Sequence, residues 1–253
     1  MIKIDDPLKI DIWYKGWEES MLWSYFQKIM GEAYVNCIEN PQSGIVYVNC
    51  FAFAAGKPDK ELVQDWYDEK VDGFAIITAR DDSWDDIFKA VGKDKCRRVE
   101  RYAIKKEKDC FDIEQLNRFV EQLDAQYELK LIDEKIYNEC KNYEWSIDFV
   151  HGYKNYDEYR KYGLGVVAFH GEEMAAGASS YSSYLGGIEV EIDTKEEYRR
   201  KGLATACGAK LILECLKRGL YPSWDAQNTW SVALAEKLGY HYSHTYIAYE
   251  IWK

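Results

Sequence analysis

The stretch EIDTKEEYRRKGLATACGAKLI, from Glu191 to Ile212, constrains the fold more than any other part of this chain. Alternating residues in IEVEID read as a strand, and the apolar run after Gly202 reads as a helix that closes at Gly219. Between them stand Arg199, Arg200 and Lys201, then Gly202 and Ala204, which carry little or no side chain. A strand that feeds a helix in this way presents free backbone N–H groups at the positive end of the helix, where phosphate oxygens bind. Gly202 lets the main chain approach a ligand closely, and Ala204 keeps the surface flat. No G-x-x-x-x-G-K-[ST] and no G-x-G-x-x-G occurs, so a Walker loop and a dinucleotide fold are unsupported. The pattern that fits is R-x-x-G-x-A; taken alone, it suits a basic helix start with an incidental glycine equally well.

Around this turn the chain reads as mixed α/β. In the first half a helix is expected in SMLWSYFQKIMGEAY, one buried strand in GIVYVNCFAFAAG, a helix in ELVQDWYDE and a strand in GFAIITA. A helix in SWDDIFKAVG and a strand in RRVERYAIKK follow. The second half continues with FDIEQLNRFVEQL, YELKLID and a helical stretch, EKIYNECKNYEWSIDFV. Three antiparallel strands come next, rich in small and hydroxyl residues, then the turn and its helix, a strand in YPSWDA, a helix closed by Gly239 and a last strand, HYSHTYIAYEIW. We expect two domains, residues 1–120 and 121–253.

From about residue 128 onward the succession of strand, R-x-x-G-x-A, helix, strand, Asn228 and a helix ending in EKLGY resembles the GNAT superfamily of N-acetyltransferases. The wording EIDT, YRRKGLAT, PSWDAQN and LAEKLGY is similar to a bacterial subgroup that includes a zwittermicin A resistance acetyltransferase. The resemblance implies an α/β (α+β) fold with a mixed central sheet flanked by helices. The N-terminal α/β domain is a candidate diverged copy of that fold. It also implies acetyl-CoA as co-substrate. Arg199, Arg200, Lys201, Gly202, Leu203, Ala204 and Thr205 would surround its pyrophosphate, and Ile192 and Thr194 would pair with its pantetheine arm. Asn228 falls where the family places a cofactor contact, with Ser231 one turn later, although Asn228 also suits a helix N-cap.

Acyl transfer to an amine needs a base, because an amine with a pKa near 10 must lose a proton before it attacks. Period-two alternation puts Glu189, Glu191 and Asp193 on one face of the strand. Glu189 is the first candidate base and Glu191 the second; a solvated strand face accounts for either alone. Where many members carry a Tyr as general acid, this chain has Ala235. Tyr240 is the nearest candidate, in a slot often filled by a packing aromatic. Trp224 and Trp230 flank Asn228 and suit either the acyl site or the core. His241 and His244 fall on opposite faces of a strand, so no metal is expected.

Composition narrows the acceptor. A net charge of −11 argues against nucleic-acid or anionic-membrane partners and favours a small cationic amine. The seven cysteines include no C-x-x-C pair, which fits reduced thiols and, with no signal-like start, a cytoplasmic protein. The reading from another class is a non-catalytic acyl-CoA-binding or sensing module, which Ala235 favours and the acidic strand face opposes.

Overall fold

Short runs of β-branched and aromatic residues between turn signals build the first sheet of the structure, a computed structural model that describes residues 1–253. The strand β1 (Ile2–Ile4) leads through α1 (Asp11–Tyr14) and α2 (Ser20–Phe26) to β2 (Glu32–Val35), β3 (Ser43–Val48) and β4 (Phe51–Gly56). Then come α3 (Lys60–Lys70), β5 (Phe74–Ala79), α4 (Asp85–Gly92) and β6 (Cys96–Ile104). The chain continues with α5 (Ile113–Glu121), β7 (Tyr127–Leu131), α6 (Glu134–Cys140), α7 (Tyr156–Tyr162), β8 (Gly165–His170), β9 (Glu173–Tyr184) and β10 (Gly187–Thr194). It ends with α8 (Leu203–Lys217), β11 (Tyr221–Ser223), β12 (Asp225–Ala226), α9 (Thr229–Lys237) and β13 (Tyr242–Trp252).

Two units result: Met1–Arg101 with Thr245–Lys253, and Tyr102–His244. The sequence reading placed a single division after residue 120, inside α5; in the structure α5 packs on α8 of the second unit, and the end of the chain completes the first. Set α5 and the two-residue β12 aside, and one order runs twice along the chain, from β1 to β6 and from β7 to β13, although most of β13 lies in the first unit: strand, two helices, three antiparallel strands, helix, parallel strand, helix, strand.

In the first unit the strands run β1-β2-β3-β4-β5-β13, with β4 and β5 parallel and the other neighbours antiparallel, and the first part of β6 follows beside β13. Trp66, Trp84, Phe88, Tyr249 and Ile251 fill its core. GIVYVNCFAFAAG is a hairpin, β3 and β4, and not the single strand expected. Asn49 takes a left-handed backbone at its turn, φ +54°, a conformation Asn tolerates and hairpin turns require.

The second unit holds the sheet β11-β10-β9-β8-β7, antiparallel except where β10 meets β11. The helix α8 covers one face, with Leu203, Cys207, Leu211 and Cys215 against Val166, Ala176, Ala178, Ile188 and Val190. The small residues of β9 permit that close packing, and Gly208 of α8 makes room for Leu238 at the end of α9, from which a Cβ there would stand 2.8 Å. On α8 Cys207 is fully buried, and burial pushes its thiol up to about 12, as suits a packing residue. Buried serines of β9 meet tyrosines: Ser179 Oγ lies 2.9 Å from Tyr159 Oη, and Ser180 Oγ accepts from Tyr153 Oη at 2.7 Å. The helical stretch expected over EKIYNECKNYEWSIDFV is helical only to Cys140 and again as one 3-10 turn at Ile147–Phe149. No helix is long and apolar enough to cross a membrane.

Candidate active site

The site begins where two parallel strands part. β10 pairs with β11 only from Gly187–Tyr221 to Glu189–Ser223, after which the chain turns at Trp224 and Asp225 pairs instead with Ala103 of β6. Beyond Glu189, β10 keeps β9 on one side and has an open cleft on the other. That cleft, about 580 Å3, is walled by Ile192, Asp193 and Thr194 of β10, by Tyr198 to Thr205 except Lys201, and by Gln227, Asn228, Trp230, Ser231 and Leu234. The N–H groups of Ile192 and Thr194 do not bond β9. They donate to the carboxylates just before them, Glu191 Oε1 at 3.1 Å and Asp193 Oδ1 at 2.6 Å.

At one end the cleft reaches the start of α8. Every other helix of seven or more residues except α4 has its first turn capped by a side chain: Glu19, Asp59, Asp112, Asp133, Asn155 or Asn228. The 15-residue α8 has Gly202 at its N-cap and no side-chain cap, which leaves its first N–H groups for a ligand. Arg200 and Gly202 both hold left-handed backbone, φ +62° and +82°, and such alternation turns successive N–H groups into one concavity. For Arg200 that conformation is strained. A Cβ on Gly202 would meet no protein atom within 4 Å, so the space before it is free.

Neighbouring side chains fix this loop. Arg199 Nε donates to Thr194 O at 3.2 Å, and Lys201 Nζ sits 4.8 Å above the Tyr198 ring. Tyr198 Oη donates to Glu173 at 2.7 Å, and Lys195 pairs with both Glu173 and Glu197. The β8–β9 turn is thereby latched to the loop. Glu173 and Lys195 also wall a second cavity of about 340 Å3, with Glu139, Glu172, Tyr143 and Trp145.

Of the expected acids, Glu189 is 4% exposed and is the last residue of β10 paired to β11, opposite Ser182 on β9 and Ser223 on β11. Opposite its step to Val190, β9 carries an extra residue, Tyr181. Glu191 and Asp193 are half-buried. The turn that carries Asp148 lies over their rows: Ser179, which pairs with Glu191, donates to Phe149 O at 2.7 Å, and Gly177, which pairs with Asp193, faces the Phe149 ring. Burial raises the Asp193 carboxyl above its usual range, its bond from Thr194 and the charge of Arg199 oppose this, and Asp148 adds to the rise. Burial raises Asp148 too, against the pull of His151 at 3.4 Å.

Tyr240, the expected acid, is not at the cleft. It is 1% exposed, its Oη donates to Pro222 O at 2.7 Å, its ring meets Phe111 edge-on, and burial raises its phenol well above the usual value. It is a core residue. Ala235 is also buried, and the side chain of α9 at the cleft there is Leu234. Trp224 is buried and donates from Nε1 to Ser231 Oγ at 3.0 Å, whereas Trp230 stands in the open. Asn228 caps α9, its Oδ1 accepting from Trp230 N and Ser231 N at 3.0 and 2.9 Å, while it also lines the cleft. His241 meets Glu107 and His244 meets Ser243, two separate contacts.

Sequence reasoning missed Tyr198, Gln227, Leu234 and Asp148. Leu234 was within reach, because Asn228, Ser231 and Leu234 recur at a spacing of three along one helix face. Asp148 was not, since only the fold brings it near β10.

An acyl-CoA fits these residues: the open space before Gly202 and the uncapped turn of α8 suit its phosphates, and two cleft-facing N–H groups suit its amide-bearing arm. Known proteins resemble this chain along most of its length. A crystal structure of a GCN5-related N-acetyltransferase-like protein from Streptococcus suis is 40% identical, with a TM-score of 0.91, over 97% of this chain and 98% of that one. The "Uncharacterized N-acetyltransferase YdfB" of Bacillus subtilis is 28% identical over 213 residues, 82% of this chain and 78% of that protein. A tandem GNAT protein from the clavulanic acid biosynthesis pathway shares the fold, with a TM-score of 0.51 at 12% identity over 88% of this chain and 82% of that one. The model of the GNAT acetyltransferase family matches residues 12–249, and so nearly the whole chain belongs to that family of acetyltransferases.

Proposed function

We propose that the second unit transfers an acetyl group from acetyl-CoA to a primary amine of a small cationic molecule by direct attack on the thioester. The observation that carries the reading is the cleft that runs from Ile192, Asp193 and Thr194 of β10, beyond its parting from β11, to the uncapped N-terminus of α8. Acetyl-CoA, when bound, supplies the acyl group in activated form. The N–H groups of Leu203, Ala204 and Thr205, with Arg199, Arg200 and Lys201 around them, hold the pyrophosphate. Ile192 and Thr194 give up their own carboxylate partners and pair with the pantetheine arm, and Asn228 and Ser231 wall its other side. Pairing along β10 aims the arm at Glu189.

Glu189 takes the proton that the acceptor's ammonium sheds, directly or through water, and Glu191 is the second candidate. The leaving thiolate, with a pKa near 8.5, needs no acid, which accommodates Leu234 and Ala235 where a tyrosine is common. Asp148, Glu191 and Asp193 form an anionic wall beside β10 that favours a cationic acceptor. The likeness to a subgroup with a zwittermicin A resistance enzyme puts amine-bearing antibiotics first among acceptors to screen, with polyamines after them. The protein acts without nucleic acid, membrane or metal, in the cytoplasm.

Calorimetric titration with acetyl-CoA, followed by a thiol-release assay across an amine panel, tests this. We expect binding that Gly202→Val abolishes without unfolding the chain, because a β-branched residue is strained at φ +82° and fills the ligand's space. We also expect thiol release only when an amine is present. A folded wild-type protein that bound no acetyl-CoA would sink the reading; binding with no turnover on any amine would leave the cofactor site and remove the acceptor class.

A further inference from the structure

Nine tryptophans occur in the chain, and Trp230 is the one in the open, 73% exposed, on the wall of the cofactor cleft. Indole is a poor choice for bare surface, because its large apolar face gains most when covered. Nothing about Trp230 is loose. Its own N–H and that of Ser231 are held by Asn228, and Ser231 Oγ accepts from the buried Trp224, so the first turn of α9 is pinned to the core at two points. The ring is presented on a rigid turn.

Its position relative to the rest of α9 says which part of a ligand it meets. Asn228, Ser231 and Leu234, three apart, form the stripe that faces into the cleft. Trp230 is one residue off that stripe, about 100° around the helix, and so stands at the rim. The other ring on the cleft wall, Tyr198, is buried, with Lys201 over it and its hydroxyl on Glu173. An acyl-CoA has one flat aromatic group, the adenine. Its pantetheine arm asks for backbone hydrogen bonds and its phosphates for N–H groups and cations; only the base asks for a π-face.

We propose that Trp230 stacks on the adenine ring of the cofactor. This rests on the acyl-CoA reading of the cleft and adds to it a residue that holds the end of the cofactor farthest from the chemistry.

The test is calorimetric titration of wild type, Trp230→Ala and Trp230→Phe with CoA and with 4′-phosphopantetheine, which lacks the adenosine. For Trp230→Ala we expect CoA affinity to fall by about 5- to 100-fold, the worth of one base–aromatic stack, with 4′-phosphopantetheine affinity unchanged. Trp230→Phe should recover most of the loss. Melting temperatures of the three proteins should agree, since the ring is exposed. An equal loss for both ligands would put Trp230 on the arm and overturn the proposal, as would no loss for either. Failure of the wild type to bind CoA would instead strike the cofactor reading, and it would show before any variant was made.

Discussion

Arg200 and Gly202 share a left-handed backbone, yet only the glycine was legible in the sequence. R-x-x-G-x-A announces a glycine with a task, whereas nothing in an arginine's identity forecasts φ +62°. The same divide runs through the acids. Alternation along β10 put Glu189, Glu191 and Asp193 on one face, but the neighbours that set their charge, Asp148 and Arg199 among them, reach Asp193 only in the fold. A carboxyl raised by burial binds its proton more tightly folded than unfolded, so ionising it between acid and neutral pH costs stability. Asp193→Asn removes that cost and keeps an oxygen for Thr194 N–H. We expect its melting temperature to exceed that of wild type at pH 7, by about 1–3 °C, and to match it below about pH 4. Calorimetric melts across that range check this; a gain that persisted in acid would show that charge is not the cause. Tyr240 was misjudged for the opposite reason: it sits near the motif in sequence, and its burial is a tertiary fact.

At the scale of elements, two helices that occupy the same place in the two units differ at their first turn. Asp59 Oδ1 caps α3 by accepting from Leu62 N at 3.0 Å, and β4 stays paired to β5 from Phe51 to Ala54. At this place in the order the first unit thus has neither an uncapped helix end nor parted strands. Its lack of an R-x-x-G-x-A was legible; that β10 and β11 part after Glu189 was not, because YPSWDA reads as one strand and the bend at Trp224 is set by pairing with β6. Asn228 at the start of α9 carries both a cap and a cleft wall, and two substitutions separate them. Asn228→Ala should cost about 1 kcal/mol, read from the denaturation midpoint. Asn228→Asp keeps the cap and the stability while replacing the amide with an anion, and should weaken acetyl-CoA binding in calorimetry. Equal affinity in Asn228→Asp and wild type would confine Asn228 to capping.

Across the whole molecule, the alternation of helices and strands gave the mixed α/β class correctly. It offered the N-terminal part as a candidate copy of the second fold, but with no shared motif behind it the repeated order of elements emerges only in the structure. It also assigned the final strand to the second half by proximity, whereas Thr245–Lys253 belongs to the first unit, where Tyr249 pairs with Ile77 and Ile251 with Ala75. Pairing between positions so far apart leaves no local trace. Removing Thr245–Lys253 should therefore open the first unit: it strips Tyr249 and Ile251 from that core and bares the edge of β5. Limited proteolysis of the truncated chain should cut within residues 1–101 first. Resistance there equal to that of the full chain would mean that the first unit closes without its last strand.

That borrowed strand also sets a timetable for synthesis. Residues 1–101 are completed by Thr245–Lys253, so translation holds their sheet open at β5 until the intervening second unit has been made. At ordinary elongation rates that wait is on the order of ten seconds. Throughout it an unpaired strand edge faces the cell, which makes the newborn first unit, more than the second, the part in need of a chaperone.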